Sequence, residues 1–202
     1  MDLLEYEKKL YAQGYSLIAG TDEVGRGPLV GPVVAAAVIL PKNYTLDGLN
    51  DSKKLSEKKR NEYYNILVKD AVSYAVGVVD AKEIDEINIY EASRKAMIKA
   101  LKGLSVKPDF ILSDAMPLPF DNSQAIIHGD ALSLSIAAAS VIAKVTRDEM
   151  MYELDKVYPE YGFKNHKGYP TKKHLENLKK YGILDSYRLT YKPVKAIMEE
   201  SK

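Results

Sequence analysis

Residues 18–40, IAGTDEVGRGPLVGPVVAAAVIL, restrict what this chain can fold into more than any other stretch. An apolar strand start, Leu17 to Ala19, runs directly into two acids, Asp22 and Glu23. A tight turn follows at Gly25-Arg26-Gly27-Pro28, and a second apolar run extends from Val33 to Leu40. Two strands joined by a short connection with glycine and proline at its corner predict an antiparallel pair. Asp and Glu are poor strand formers, so a packed sheet gains nothing from them there. Two carboxylates at a strand's end beside a glycine turn instead fit a metal site exposed at a sheet edge.

Two phosphate-binding loops can be tested on the same residues, and both fail. Gly20 and Gly25 have the P-loop spacing, but Arg26 and Gly27 stand where Lys and Ser or Thr are required. Gly25, Gly27 and Gly31 miss the dinucleotide spacing and lead into β-branched residues, not a helix. Asp22 and Glu23 would also repel a phosphate unless a cation sat between them.

Residues 2–13 read as a short amphipathic helix docked as a flap. Residues 50–56 form a polar loop ending on Ser56, which can cap a helix over 57–70. A third strand is expected over 71–79 and a helix over 81–101, ended by Gly103. Pro108 opens a strand over 110–113. The order strand–helix–strand predicts a parallel crossover that leaves Asp114 at a carboxyl end of the sheet. After a short strand over 124–128, Asp130 is expected to head a long helix to about residue 157, stopped by Tyr158-Pro159. The remainder reads as helical and basic. A mixed α/β sheet with helices around it is the expected fold.

Composition narrows the chemistry. The 202 residues suit one domain, and the lack of cysteine excludes disulfides, zinc-thiolate sites and thiol catalysis. The start, MDLLEYEKKL, is acidic and unlike a signal peptide, and the longest apolar run is far too short to span a bilayer. A cytoplasmic monomer without a membrane partner is expected. Net charge is only +1, but residues 161–195 hold nine basic residues against Glu176 and Asp185. A basic end on an otherwise acidic chain fits a protein that grips a polyanion beside a metal site.

Four acids sit at chain turns: Asp22, Glu23, Asp114 and Asp130. Each also has a plain structural reading. Asp22 and Glu23 could form a solvated turn, and Asp114 could merely begin a loop. Asp130 could be a helix N-cap, which stabilises by about 1 kcal/mol without any chemistry. Asp148, mid-helix beside Arg147, reads as a structural pair or a solvated side chain. Their joint occurrence favours a site. Carboxylates without Cys or paired His select Mg²⁺ or Mn²⁺ over Zn²⁺, and several converging suggest a two-metal phosphodiester site. The rival mechanism, metal-free cleavage through a 2′-hydroxyl, has only His128, His166 and His174 to draw on. His166 and His174 lie in the basic, Tyr-rich segment, where phosphate contact or surface placement is the simpler expectation.

Thr-Asp-Glu-Val-Gly-Arg-Gly-Pro, residues 21–28, resembles the opening signature of the ribonuclease HII family. Asp51-Ser52-Lys53-Lys54-Leu55-Ser56, Leu112-Ser113-Asp114, Gly129-Asp130, residues 138–148 and Gly168-Tyr169-Pro170-Thr171 match it in order. The resemblance covers nearly the whole chain. It implies a ribonuclease H-like mixed sheet flanked by helices, with a catalytic domain over 1–158. Residues 159–202 would be a basic helical C-terminal extension packed on the same domain. It further implies a metal-dependent endoribonuclease that cuts RNA in RNA–DNA hybrids and nicks 5′ of single ribonucleotides in duplex DNA. The products would carry a 5′-phosphate and a 3′-hydroxyl.

In the family the acids matching Asp22, Glu23, Asp114 and Asp130 are catalytic and hold Mn²⁺ or Mg²⁺. The Gly25-Arg26-Gly27 loop would read the ribose 2′-hydroxyl, the group that separates RNA from DNA. Tyr169 would pack on the following deoxyribose, and Lys53 would lie near the scissile backbone. Taken by itself, Lys53 reads as a surface charge, and two glycines suit any tight turn. Arg26, not Lys, favours the HII branch over its HIII relatives. The chain departs from the family pattern at His128, Tyr187, Tyr191 and Ala115, where Lys, His, Phe and Gly are usual. The competing reading is a non-catalytic nucleic-acid-binding protein of the same fold, which would be expected to have lost at least one of the four acids.

Overall fold

The computed structural model describes residues 3–49 and 52–200, with the Lys53 side chain excepted. Five strands form one mixed sheet in the order β3-β2-β1-β4-β5. β1 (Ile18–Val24), β2 (Val33–Ile39) and β3 (Ser73–Val79) form an antiparallel meander. β4 (Phe110–Asp114) and β5 (Ser123–Ile126) add in parallel on the other side of β1. The first strand pair and the crossover over α3 (Ala81–Lys102) agree with expectation, although the crossover passes over both β2 and β1.

Every residue of β2 is buried, because helices cover both faces of the sheet. Ala36 and Val38 face one core with α4 (Leu134–Val157), while Val33 and Ala35 face the other with Ala92 and Ala96 of α3. The strand period of two divides an unbroken apolar run between two cores. α2 (Glu57–Asp70) packs on α4, with its cap as anticipated: the Lys59 N–H donates to Ser56 Oγ.

α1 (Glu5–Ala12) closes one end of the molecule through a buried acid. Glu7 Oε1 accepts from Ser133 Oγ, the Ser135 N–H and Ser135 Oγ at 2.7, 3.0 and 2.7 Å. A carboxylate here meets the positive end of α4 and its unpaired N–H groups. Replacing Glu7 with Ala would strand those donors in the core. A loss of about 2–3 kcal/mol is expected, measured as a shift of the urea midpoint; an unchanged midpoint would show that α1 is not a structural clamp.

Two helices differ from expectation. α3 is broken at Asn88, whose backbone is left-handed (φ 68°), and Asn88 Oδ1 accepts from the N–H groups of Tyr90 and Glu91 to restart the helix. Asp130 does not head α4. It lies in a 3-10 turn, Gly129–Ala131, and α4 starts only at Leu134, where Ser133 Oγ accepts from the Ile136 N–H. Ser133 occupies the capping position, so the Asp130 carboxylate is not the helix cap.

Residues 159–200 add α5 (Phe163–His166), α6 (Lys172–Tyr181) and α7 (Lys192–Glu200). They share an apolar cluster, built on Tyr161, Phe163, Leu178, Tyr187, Val194 and Ile197, with Leu29, Val30 and Met151. The β1–β2 connection is thus packed against the C-terminal helices. No helix among the described residues is long and apolar enough to cross a membrane.

Candidate metal centre and substrate loop

The acids meet toward the carboxyl ends of two neighbouring parallel strands. Thr21 pairs with Ser113, so Asp22 and Asp114, the last residue of β4, stand side by side. Contrary to expectation, β1 runs on through both acids to Val24, and Asp22 is buried in the central strand rather than exposed at a sheet edge. The chain then turns sharply: Ala115 adopts φ 49°, a left-handed conformation that a Cβ makes costly and that glycine enters freely. This accounts for glycine's use at that position in the family pattern. His128, also left-handed, opens the 3-10 turn, and the Gly129 N–H donates to Asp114 Oδ1 at 2.7 Å. A Cβ on Gly129 would lie 2.6 Å from Ile136 Cδ1, so any larger residue would have to push the buried Ile136 side chain aside. Asp130 is carried inward by that turn.

Carboxylate oxygens of Asp22, Asp114 and Asp130 lie within 4.8 Å of one another, a spacing that could hold a metal ion. Glu23 stands outside this cluster, because consecutive residues of a strand point to opposite faces. Its Oε1 is 3.3 Å from Arg26 Nη1, while Oε2 is buried with no hydrogen-bond partner. Burial, followed by the Glu23 and Asp114 charges, pushes the Asp22 carboxyl well above the usual carboxylate range. Burial also raises Glu23, against the pull of Arg26. Crowded, desolvated carboxylates with an orphaned oxygen suit a divalent cation, which would supply the missing charge. The donors are all hard oxygens, as Mg²⁺ and Mn²⁺ prefer.

Ser140, which sequence reasoning passed over, supports Asp22. Its hydroxyl lies 2.8 Å from Ser52 Oγ and favours the charged form of the Asp22 carboxyl, against the burial that raises its pKa. The available signal was its spacing, seven residues beyond Ser133 on the same helix face. Lys53 has its backbone in the 3-10 turn Ser52–Lys54, but its side chain, like Asp51, lies outside the described residues. Asp148 is a structural pair, bonded to Lys144 Nζ at 2.6 Å and near Arg60.

The Gly-Arg-Gly loop and Tyr169 come together from opposite ends of the chain. A Cβ on Gly27 would lie 3.4 Å from Tyr169 Cε1, and Tyr169 itself is 41% exposed, leaving its ring open to a ligand. Two fully buried arginines hold this region, and neither was singled out from sequence. Arg147 donates to the carbonyls of Pro32, Val30 and Lys167, and burial lowers its pKa to about 10. Arg188 donates to the carbonyls of Gly25, Arg26 and Gly31.

The expected placement of the histidines is corrected. His174 is fully buried and His166 stacks on it at 4.2 Å between ring centroids, so neither is a simple surface cation. His174 Nδ1 lies 2.8 Å from the Tyr169 carbonyl, which can only accept, so Nδ1 carries the proton. Nε2 then accepts from the Tyr187 hydroxyl at 2.7 Å. Tyr187 is therefore a core residue behind Tyr169. Burial lowers the His174 pKa from 6.5 to about 4.

An unfolded histidine protonates near pH 6.5 while this one resists until about pH 4, so stability falls as pH drops through that window. The loss expected is roughly 3 kcal/mol. Urea midpoints at pH 7 and 4.5 check it: His174→Gln should flatten the decline, and an equal decline in both proteins would refute the assignment.

The ribonuclease HII family model matches residues 19–194. The chain is 56% identical to the ribonuclease HII of Bacillus subtilis (strain 168), over 97% of this chain and 77% of that one. It is 54% identical to that of Geobacillus sp. (strain WCH70), over 100% and 73% respectively. In structure it resembles the ribonuclease H2 of Pyrococcus horikoshii OT3, with a TM-score of 0.78 and 31% identity. That match covers 91% of this chain and 97% of the other.

Proposed function

This chain belongs to the ribonuclease HII family, and we propose that it is a metal-dependent endonuclease cutting RNA in RNA–DNA hybrids and 5′ of single ribonucleotides within duplex DNA. The observation that carries this reading is the meeting of Asp22, Asp114 and Asp130 within 4.8 Å, just beyond the last paired residues of the adjacent parallel strands β1 and β4. Divalent cations, Mg²⁺ or Mn²⁺, would supply Lewis-acid charge to the attacking water and the departing 3′ oxygen, giving a 5′-phosphate and a 3′-hydroxyl.

The chain's own residues do the rest. Asp22, Asp114 and Asp130 would hold the cations, and Glu23, outside that cluster, adds a neighbouring negative charge. Ser140 favours the charged form of Asp22. Gly25, Arg26 and Gly27 bring main-chain groups to the ribose, where side chains would block approach. Tyr169 packs on the sugar that follows, so that a ribonucleotide followed by deoxyribose is sensed. Lys53 and the basic residues of 161–195 contact phosphates, which position the duplex without reading its sequence. The protein would act as a cytoplasmic monomer.

The test is cleavage of a labelled DNA duplex carrying one ribonucleotide, beside an all-DNA duplex and a long RNA–DNA hybrid, with Mg²⁺, Mn²⁺ or EDTA. A single metal-dependent nick 5′ of the ribonucleotide is expected. Cutting of the hybrid alone would remove the loop and Tyr169 from the reading. Cutting of neither substrate by folded protein would overturn it.

A further inference from the structure

The groups expected to read the ribose are main-chain N–H groups, so something must fix which way those peptides face. All peptides described are trans, and in a trans peptide the carbonyl and the following N–H point in opposite directions. Holding the Gly25 carbonyl inward therefore turns the Arg26 N–H outward, and holding the Arg26 carbonyl inward turns the Gly27 N–H outward. Both carbonyls are held.

Arg188 uses all five of its donors in this task. Nε and Nη2 reach the Gly31 carbonyl at 3.0 and 2.9 Å, and Nη2 also reaches Gly25 O at 2.7 Å. Nη1 reaches Arg26 O and the Tyr191 hydroxyl, each at 3.0 Å. That hydroxyl in turn donates to Arg26 O at 2.7 Å. The Arg26 carbonyl is thus gripped by two donors, and the Tyr191 oxygen orients both.

The clamp is itself fixed. The Arg188 N–H donates to Leu29 O. Asp85 accepts from the N–H groups of Leu189 and Thr190, locking the turn between Arg188 and Tyr191. Arg188 is fully buried, so its guanidinium has no water to exchange these carbonyls for.

We propose that Arg188 and Tyr191 are positioning residues for ribonucleotide recognition, holding the Gly25 and Arg26 carbonyls inward so that the Arg26 and Gly27 N–H groups face the 2′-hydroxyl. This rests on the loop reading the ribose, as set out above. Loss of one hydroxyl tie lets the Arg26–Gly27 peptide rock, which misaligns the scissile phosphate more than it weakens duplex binding. The effect therefore falls on kcat.

Tyr191→Phe removes the hydroxyl and keeps the ring. Its kcat on a duplex with one ribonucleotide should fall about fivefold, with KM and the thermal midpoint little changed. Amide hydrogen exchange of Arg26 and Gly27 should quicken. Arg188→Lys, with one donor centre in place of a planar fork, should lose about 100-fold in kcat without regaining loop protection. Unchanged kcat with unchanged exchange in Tyr191→Phe would overturn the proposal. So would a fall in kcat that merely tracks lost folded protein. Faster exchange with kcat unchanged would overturn the loop as reader, and with it the positioning role. A wild-type protein that cuts no ribonucleotide duplex, yet shows the expected exchange, would overturn the activity and leave the clamp standing.

Discussion

Asp22→Asn is expected to abolish cleavage, by about 10³-fold or more, while making the metal-free protein more stable. The two effects share one cause. Asp22 is buried among Glu23, Asp114 and Asp130, and its carboxyl is held well above the ordinary range by desolvation first and like charge second. Ionising that carboxyl costs more in the native chain than in the unfolded chain, which solvates the charge freely. An acid with a raised native pKa destabilises the fold above its ordinary titration range, and the penalty disappears as pH falls below it. Asparagine keeps the shape and removes the charge. Thermal unfolding in EDTA should show a higher midpoint for the variant at pH 7.5, with the advantage shrinking toward pH 4. Added Mn²⁺ should raise the wild-type midpoint more than the variant's. Full activity in Asp22→Asn would sink the ligand assignment, and a lower midpoint in EDTA would sink the electrostatic account.

Gly20→Ala should be severely damaging although it touches none of the acids. A Cβ there would lie 2.1 Å from the Ser135 carbonyl carbon and 2.4 Å from the Ile136 nitrogen. These are main-chain atoms at the start of α4, held by the Ser133 cap and by Glu7, so no side chain can swing aside. Either β1 or the whole helix start must move. A loss of about 3 kcal/mol is expected from overpacking of this kind. Because Asp22 follows on β1 and Asp130 precedes α4, the surviving folded protein should also lose about 10²-fold in activity. Urea unfolding and the single-ribonucleotide assay check both. A variant with wild-type midpoint and rate would show that the strand and helix have slack here.

Gly20 also shows where sequence reasoning stops. In the sequence it is one end of a failed phosphate loop; in the fold it is the contact point of β1 with α4. The antiparallel β1–β2 pair, the Ser56 cap and the strand ending on Asp114 were legible, because periodicity and turn chemistry are local. The start of α4 was not: Asp130 and Ser133 are both competent caps, and only the packed turn at Gly129 decides between them. Asn88 was hidden for a similar reason. The apolar pattern continues through it, and one left-handed residue leaves no trace in the periodicity. His174 reads as a cation in a basic segment, yet its ring is enclosed by Phe163, His166 and Tyr187.

The sequence by itself determined the chemical kind of the site: hard oxygen donors, no thiol and a basic end for a polyanion. Those are properties of side chains, and folding does not alter them. Only the tertiary structure decided which acids meet, that Glu23 stands apart from the other three, and that buried Arg188, with Tyr191, ties down the carbonyls of Gly25 and Arg26. Such distances depend on the register of β1 against β4 and on how closely α4 and the C-terminal turn pack against segments remote in sequence. No local pattern encodes them, because each is fixed by excluded volume and by buried carbonyls that must find a donor.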